Sequence, residues 1–239
     1  MNSLRITFNA ETPLTLPMSY NYQVQGALYA QWRDVFPELH DVGYGDAQHS
    51  FRMFTFSPLR GKYTAADKRI SFTGSVSFEV RSAVPKLIES LCDGFQQSGV
   101  IRLGQTTMPL VNLECCDRLL FRDTAVISTL SPIVIYTTLP DGHTLYHSPT
   151  EPDFETMVRD NLAAKLRAAG LTHLDTRIML RPYPETLRKV VSNFKHTIIN
   201  GWNGRFRLYA HPETMAFLYY TGIGSKSSQG YGMFQIETQ

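Results

Sequence analysis

The 239-residue chain carries 43% apolar and 18% charged residues at a net charge of +2, enough apolar sequence for a buried core and a length that suits one large domain or two of about 100–150 residues. It contains no run of about 18 apolar residues, so no transmembrane helix is expected, and the opening MNSLRITFNA reads as a strand rather than a signal peptide. Cys92, Cys115 and Cys116 lack C-x-x-C spacing, which argues against a disulfide framework or a structural zinc site and makes the cytoplasm the expected location.

In chain order, Leu4–Phe8 reads as a first strand. A polar, proline-bearing link follows, and from Tyr22 the pattern turns helical. Val24, Leu28, Trp32 and Val35 recur at helix spacing, and Pro37 is expected to end the helix. Phe51–Pro58 and Ser71–Val80 read as strands; in the second, Phe72, Val76, Phe78 and Val80 alternate with polar residues, the mark of a half-buried strand. A second helix carries Val84, Leu87, Ile88, Leu91 and Phe95 on its inner stripe and stops at Gly99. Strand-like sequence resumes from Ile101 to Cys116.

The order then repeats. Ala125–Thr137 is rich in β-branched residues, with Pro132 marking a bulge or an edge. Thr150 is expected to cap a helix with a proline in its first turn. Phe154, Met157, Val158, Leu162 and Leu166 form its buried face, and Gly170 closes it. Strands are expected near Asp175–Arg181 and over Leu187–Ile199. The pairs Asn200-Gly201 and Asn203-Gly204 signal turns, which predicts a hairpin over Leu187–Ala210. A short helix runs from Pro212 to Gly222, and Tyr231–Glu237 is the last strand. Each half thus reads β-α-β-β-α-β, the ferredoxin-like order. The expected fold is α+β with two tandem ferredoxin-like domains, residues 1–120 and 121–239, joined near Arg118–Thr124.

Charge is unevenly placed. Between Arg177 and Arg207 stand Arg177, Arg181, Arg188, Lys189, Lys195, Arg205 and Arg207 against the single acid Glu185, so this window holds +6 and the remainder −4. A basic block on a near-neutral chain fits either a localised polyanion site or a solvated sheet face.

The stretch GIGSKSSQGYGMF, Gly222 to Phe234, holds four glycines and a lysine. A dinucleotide fingerprint or a P-loop would follow a strand and open a helix; this loop follows a helix and precedes a strand. A backbone cradle for phosphate remains, with amide groups left open by glycine, Lys226 as a point charge and three serines as donors. A plain helix-to-strand loop is the bland alternative.

The frame Gly222-Ile-Gly224, five residues containing Lys226, then Gly230-Tyr-Gly232 resembles the C-terminal glycine-rich signature of the CRISPR-associated repeat-RNA endoribonucleases, the Cas-six family of RAMP proteins. YNYQVQGALYAQW resembles the family's first helix, LHDVG with FRMFTFSPL the segment after it, and TLSPIVIY the strand that opens its second domain. The resemblance spans the chain. It implies two ferredoxin-like domains and metal-independent cleavage of CRISPR repeat RNA by 2′-OH attack, giving 2′,3′-cyclic phosphate and 5′-OH ends. The alternative is a non-catalytic RAMP-type RNA-binding subunit of a CRISPR effector complex.

Such chemistry needs a proton acceptor, a proton donor and a cation near the phosphorane. The resemblance carries the family's catalytic Tyr, His and Lys onto Tyr29, His40 and Arg52, the third a departure. Tyr29 flanks the core stripe of the first helix, His40 lies in a loop and can titrate near neutral pH, and arginine keeps a cation without acting as an acid. Which of Tyr29 and His40 acts as base is open, and His49, in the loop Asp46-Ala-Gln-His49, is the rival histidine. His143, His147, His173, His196 and His211 show no metal-ligand spacing, so neither metal nor cofactor is expected. Expected RNA contacts are Gly222, Gly224, Lys226, Gly230, Gly232, Arg188, Lys189, Lys195, Arg205 and Arg207. The expected partner is precursor CRISPR RNA, bound by a monomer or homodimer, with other effector subunits as further candidates.

Overall fold

The computed structural model describes residues 1–45, 50–116 and 119–237. The first half runs β1 (Ser3–Pro17), α1 (Asn21–Trp32), β2 (Tyr44–Gly45), β3 (Ser50–Phe51), β4 (Phe54–Phe56), β5 (Arg60–Ala66), β6 (Arg69–Ser82), α2 (Pro85–Ser98), β7 (Val100–Leu103) and β8 (Thr106–Cys115). Its main sheet has the order β4-β6-β1-β8-β7, with β5 also paired to β6. All these pairings are antiparallel. Taking β1, β4, β6 and β8 as the four strands of a βαββαβ unit, the order is that of a ferredoxin-like sheet.

Alternation builds it. Leu4, Ile6 and Phe8 are buried while Arg5, Thr7 and Asn9 are not, and a register shift between Ala10 and Leu14 returns Leu14 and Leu16 to the buried face. On α1, Val24, Leu28 and Trp32 face the core, and the Trp32 indole donates to the Leu87 carbonyl at 2.8 Å, tying α1 to α2. Gly99 ends α2 in the left-handed region (φ 64), its N–H on the Phe95 carbonyl, as the sequence pattern required.

The second half runs β9 (Thr124–Thr129), β10 (Tyr136–Thr138), β11 (Thr144–Tyr146), α3 (Phe154–Ala168), β12 (Met179–Pro182), β13 (Arg188–Phe194), β14 (Thr197–Asn203), β15 (Arg205–Tyr209), α4 (Pro212–Thr221) and β16 (Phe234–Ile236). Its sheet order, β12-β15-β9-β16, repeats that of the first half. The hairpins β10–β11 and β13–β14 stand outside the sheet.

Several boundaries differ from the sequence expectation. α1 stops at Trp32, well before Pro37, and Val35 is exposed. Phe51–Pro58 is two strands, broken at Arg52-Met53, where Met53 takes φ 53. Ile101–Cys116 is a hairpin, and Ala125–Thr137 divides into β9 and the start of β10 around Pro132. Thr150 does not cap α3, which opens after Asp153 without a side-chain cap. β5, with every residue exposed, offers no alternation and was not foreseen.

Buried polar contacts join the halves. Arg81, 2% exposed, donates to the Glu79 carboxylate and to the Phe234 carbonyl at 2.6 Å each, and its guanidinium lies 3.7 Å from the Tyr219 ring centroid. Thr55 Oγ1 donates to the Tyr231 carbonyl at 3.1 Å. The segment after α4 is therefore wedged against the first sheet.

Candidate functional site

The wedge is the glycine-rich loop. Gly222, Gly224, Gly230 and Gly232 all take positive φ. A Cβ at Gly230 would meet the Phe56 ring at 2.5 Å, and one at Gly232 would meet the Ile223 carbonyl at 2.0 Å. The N–H groups of Gly222, Gly230 and Gly232 donate to the carbonyls of Leu218, Ser227 and Pro132. The expected open cradle of glycine amides is thus corrected at these three positions: the glycines allow close packing, and their donors are spent inside the protein. What the loop presents outward is Lys226, in the left-handed region at φ 61, and Ser228 after it.

α1 holds this loop from one side. Asn21 Nδ2 donates to the Gln229 carbonyl at 2.8 Å, and Gln25 Nε2 to the Ser228 carbonyl at 2.7 Å. Asn21, Gln25 and Tyr29 recur at four-residue spacing, so they form one stripe of the helix, beside the apolar stripe of Val24, Leu28 and Trp32. Asn21 and Gln25 were missed in the sequence, although that spacing was there to be read.

Tyr29 meets His40 edge to face, with ring centroids 4.8 Å apart. His40 Nδ1 lies 2.5 Å from the Asp41 carboxylate. A carboxylate only accepts, so Nδ1 carries the proton and Nε2 is left for a ligand. Burial pushes the Tyr29 phenol up from its ordinary value, and the Arg52 charge and hydrogen bonds with Ser228 and Arg52 partly offset this.

Arg52 stands in the same cleft as Tyr29 and His40 and is held there by the backbone around it. Nε donates to the Leu39 carbonyl (3.2 Å), Nη1 to the Ser50 carbonyl (3.2 Å) and Oγ (2.8 Å), and Nη2 to the carbonyls of His40 (2.6 Å) and Asp41 (3.2 Å). The carbonyls of the His40 loop and Ser50 thus engage most of the guanidinium, and Tyr29 hydrogen-bonds to it as well. Arg52 clamps the His40 loop and brings its charge to Tyr29 at the edge of the cleft. His49 lies outside the described residues.

These groups line one cleft of about 350 Å³ together with Lys195, Lys226, Ser228 and Gln25. Lys195 arrives through a turn that the sequence reading misplaced. β13 and β14 pair from Arg188↔Asn203 to Phe194↔Thr197, so the turn is Lys195-His196, at φ 48 and 68, and Asn200-Gly201 lies inside β14. Phe194 packs edge-on against Tyr22, and Lys195 Nζ sits 4.8 Å from that ring's centroid. Lys226 Nζ lies 4.9 Å from the Tyr136 centroid, with its pKa lowered by burial.

The basic block is divided rather than gathered. Arg205 pairs with Glu237 at 2.6 Å, and Arg207 bonds to the Tyr183 hydroxyl at 3.3 Å, both on the second sheet. Arg188 donates to the carbonyls of Glu185 and Leu187, and Lys189 stands over Trp202. None of the four lines the cleft. Among the described residues no group of three His, Cys, Asp or Glu side chains could hold a metal ion, and no helix is long and apolar enough to cross a membrane.

The family profile described as CRISPR associated protein Cas6, C-terminal, matches residues 116–236. The chain belongs to the Cas6 family. A CRISPR-associated endoribonuclease-like Cas6 protein of Pyrococcus furiosus is 23% identical over 229 residues, covering 92% of each chain. The CRISPR-associated endoribonuclease Cas6 of the same organism is also 23% identical, covering 93% of this chain and 84% of its own. The solved product of a Cas6-related gene from P. furiosus superposes with a TM-score of 0.86 at 20% identity, covering 100% of this chain and 99% of the other. The Cas6 fold, two ferredoxin-like units in tandem, is therefore the fold of this chain.

Proposed function

We propose that this Cas6-family chain is a metal-independent endoribonuclease that cleaves CRISPR repeat RNA. The observation that carries the reading is the convergence of Tyr29 and His40 with the cations Lys195 and Lys226 in one cleft. His40 Nε2 takes the proton of the 2′-OH, whose oxygen bonds to the adjacent phosphorus as the bond to the 5′-oxygen breaks. Tyr29, kept protonated by burial, donates to the leaving 5′-oxygen. The products are a 2′,3′-cyclic phosphate and a 5′-hydroxyl. Arg52 fixes the His40 loop and adds charge, while Lys195 and Lys226 meet phosphates and position the strand. On this reading residues 1–120 form the catalytic unit and residues 121–239 the unit that carries the basic hairpin and the loop. The protein works in the cytoplasm as a monomer or homodimer, alone or with other CRISPR effector subunits.

A labelled repeat RNA incubated in EDTA tests the reading. Cleavage should persist, and a 2′-deoxy sugar at the cut site should permit binding and block cutting. Loss of activity in EDTA with recovery in magnesium would overturn the mechanism. The engagement of Arg52 by the carbonyls of Leu39, His40 and Asp41 favours one second reading, a non-catalytic RNA-binding subunit, for which the same RNA would be bound and left intact.

A further inference from the structure

Lys165 lies on the apolar face of α3 between Leu162 and Leu166 and is 3% exposed. Its ammonium donates to the Gly222 carbonyl at 2.9 Å and to Ser227 Oγ at 3.0 Å. One turn earlier Asn161 Nδ2 donates to Ser225 Oγ at 3.3 Å. α3 thus grips the glycine-rich loop at Gly222, Ser225 and Ser227, while α1 holds it at Ser228 and Gln229. Both partners of Lys165 are neutral, and burial, unrelieved by any carboxylate, pushes its pKa down to about 7. A buried cation without a counter-charge is costly. An ammonium has three donors; two are spent, and Lys165 lines a cavity of about 720 Å³ with Arg52, Asn161, Ser225, Lys226 and Ser228.

We propose that Lys165 is a positioning residue for the RNA strand: it locks the loop that carries Lys226 and Ser228 into the cleft, and it holds the charge that a phosphodiester entering the larger cavity would meet. This rests on the endoribonuclease reading above. The other charged or titratable groups of that cavity are Asp160 and Arg167 on α3, Tyr136 on β10, Arg52 and Lys226. Arg52 is held by loop carbonyls and Lys226 by the Tyr136 ring. Tyr44, from β2 packed on α3, is kept neutral by burial. Asp160 does not relieve the Lys165 charge, which burial alone shifts, so a phosphodiester is the counter-charge this lysine lacks, and its arrival favours the protonated lysine. Binding then takes up a proton above about pH 7, so affinity falls as pH rises, by at most about tenfold per unit.

The test compares wild type with Lys165→Met, Lys165→Arg and Ser227→Ala, each checked for folding by thermal melting. Binding is measured on a repeat RNA with a 2′-deoxy sugar at the cut site, from about pH 6 to 9 at fixed salt, and cleavage on the all-ribose RNA. Lys165→Met should bind about tenfold more weakly below pH 7 and lose its share of the pH slope, while any slope from Lys226, whose pKa burial also lowers, remains in every variant. Lys165→Arg should keep more affinity and also lose the slope, because arginine stays charged. Ser227→Ala should keep the slope. A folded Lys165→Met with wild-type affinity and slope overturns the inference alone; if that variant does not fold, a wild-type slope in Lys165→Arg does so. Failure of the wild type to bind repeat RNA overturns the endoribonuclease reading and this inference with it.

Discussion

The imidazole of His40 stands edge-on to the ring of Tyr29, the planes at 78° and the centroids 4.8 Å apart, while Asp41 holds Nδ1. Nε2 is the atom this arrangement offers to a substrate. His40→Ala should lower single-turnover cleavage by at least about 10²-fold and leave RNA affinity near wild type, because an acid–base group acts in the transition state. His49→Ala is the comparison and should retain cleavage. The reverse pattern would move the role to His49.

Arg52 separates charge from geometry. If the clamp on the His40 loop is what matters, Arg52→Ala should slow cleavage, and Arg52→Lys should recover only part of it. Lysine keeps the charge but offers three donors without a planar fork. Single-turnover rates for the pair decide the question: full recovery by lysine would mean that the cation alone is needed.

The sequence made the repeated βαββαβ order legible because alternation and helix periodicity are local. The turn of the β13–β14 hairpin was not. Two Asn-Gly pairs outcompeted Lys195-His196 as turn candidates, yet Gly201 is glycine for another reason: a Cβ there would lie 2.8 Å from Pro132 Cβ and 3.0 Å from the Ile133 carbonyl. Close approach between strands distant in sequence leaves no local mark. Tyr29, His40 and Arg52 could be found as a set, but the hold of the loop carbonyls on Arg52 could not. Asn21, Gln25 and Lys165 escaped notice because their partners lie far along the chain, in Gln229, Ser228 and Gly222.

The glycine frame should prove structural before it proves functional. Gly232→Ala brings together positive φ and a Cβ 2.0 Å from a carbonyl. Strain of this kind costs about 1–3 kcal/mol before any clash, which lowers Tm by several degrees, at about 2–4 °C per kcal/mol for a chain of this size. Gly26→Ala is the control: it is exposed in α1, and a Cβ there meets nothing within 4 Å. It should hold or raise Tm, since alanine is favoured over glycine in a helix by about 1 kcal/mol. Equal effects of the two in a thermal melt would count against the packing account.

Glu237 ties neighbouring strands of the second sheet. Its carboxylate accepts from Arg205 Nε at 2.8 Å and Nη2 at 2.6 Å, and from the Ser128 hydroxyl. These bonds lower its pKa from 4.5 to about 2. The folded value lies below the unfolded one, so the stabilisation is fully present above about pH 4.5 and is lost as pH falls through about 2. Glu237→Gln should be less stable than wild type at neutral pH, and the two should converge in acid, as followed by urea melts across that range. A constant difference down to pH 2 would place the contribution elsewhere.

Lys226 tests whether RNA follows the cleft or the open sheet. It lines both cavities, and its ammonium lies over the Tyr136 ring. A phosphate contact carries no sequence information, so Lys226→Ala should weaken binding alike across different RNAs. The slope of log K against log salt should become shallower by about 0.7, the value for one contact to a single strand. At saturating enzyme the cleavage rate should fall less than about tenfold, because the lost contact positions the strand and leaves His40 in place. Lys195→Ala, across the same cleft, should behave alike. Arg207→Ala, on the sheet face beside Tyr183, should do less. A larger loss from Arg207→Ala would run the strand over the second sheet, and full affinity without cleavage in Lys226→Ala would put that ammonium in the chemistry, making the glycine-rich loop a wall of the active site.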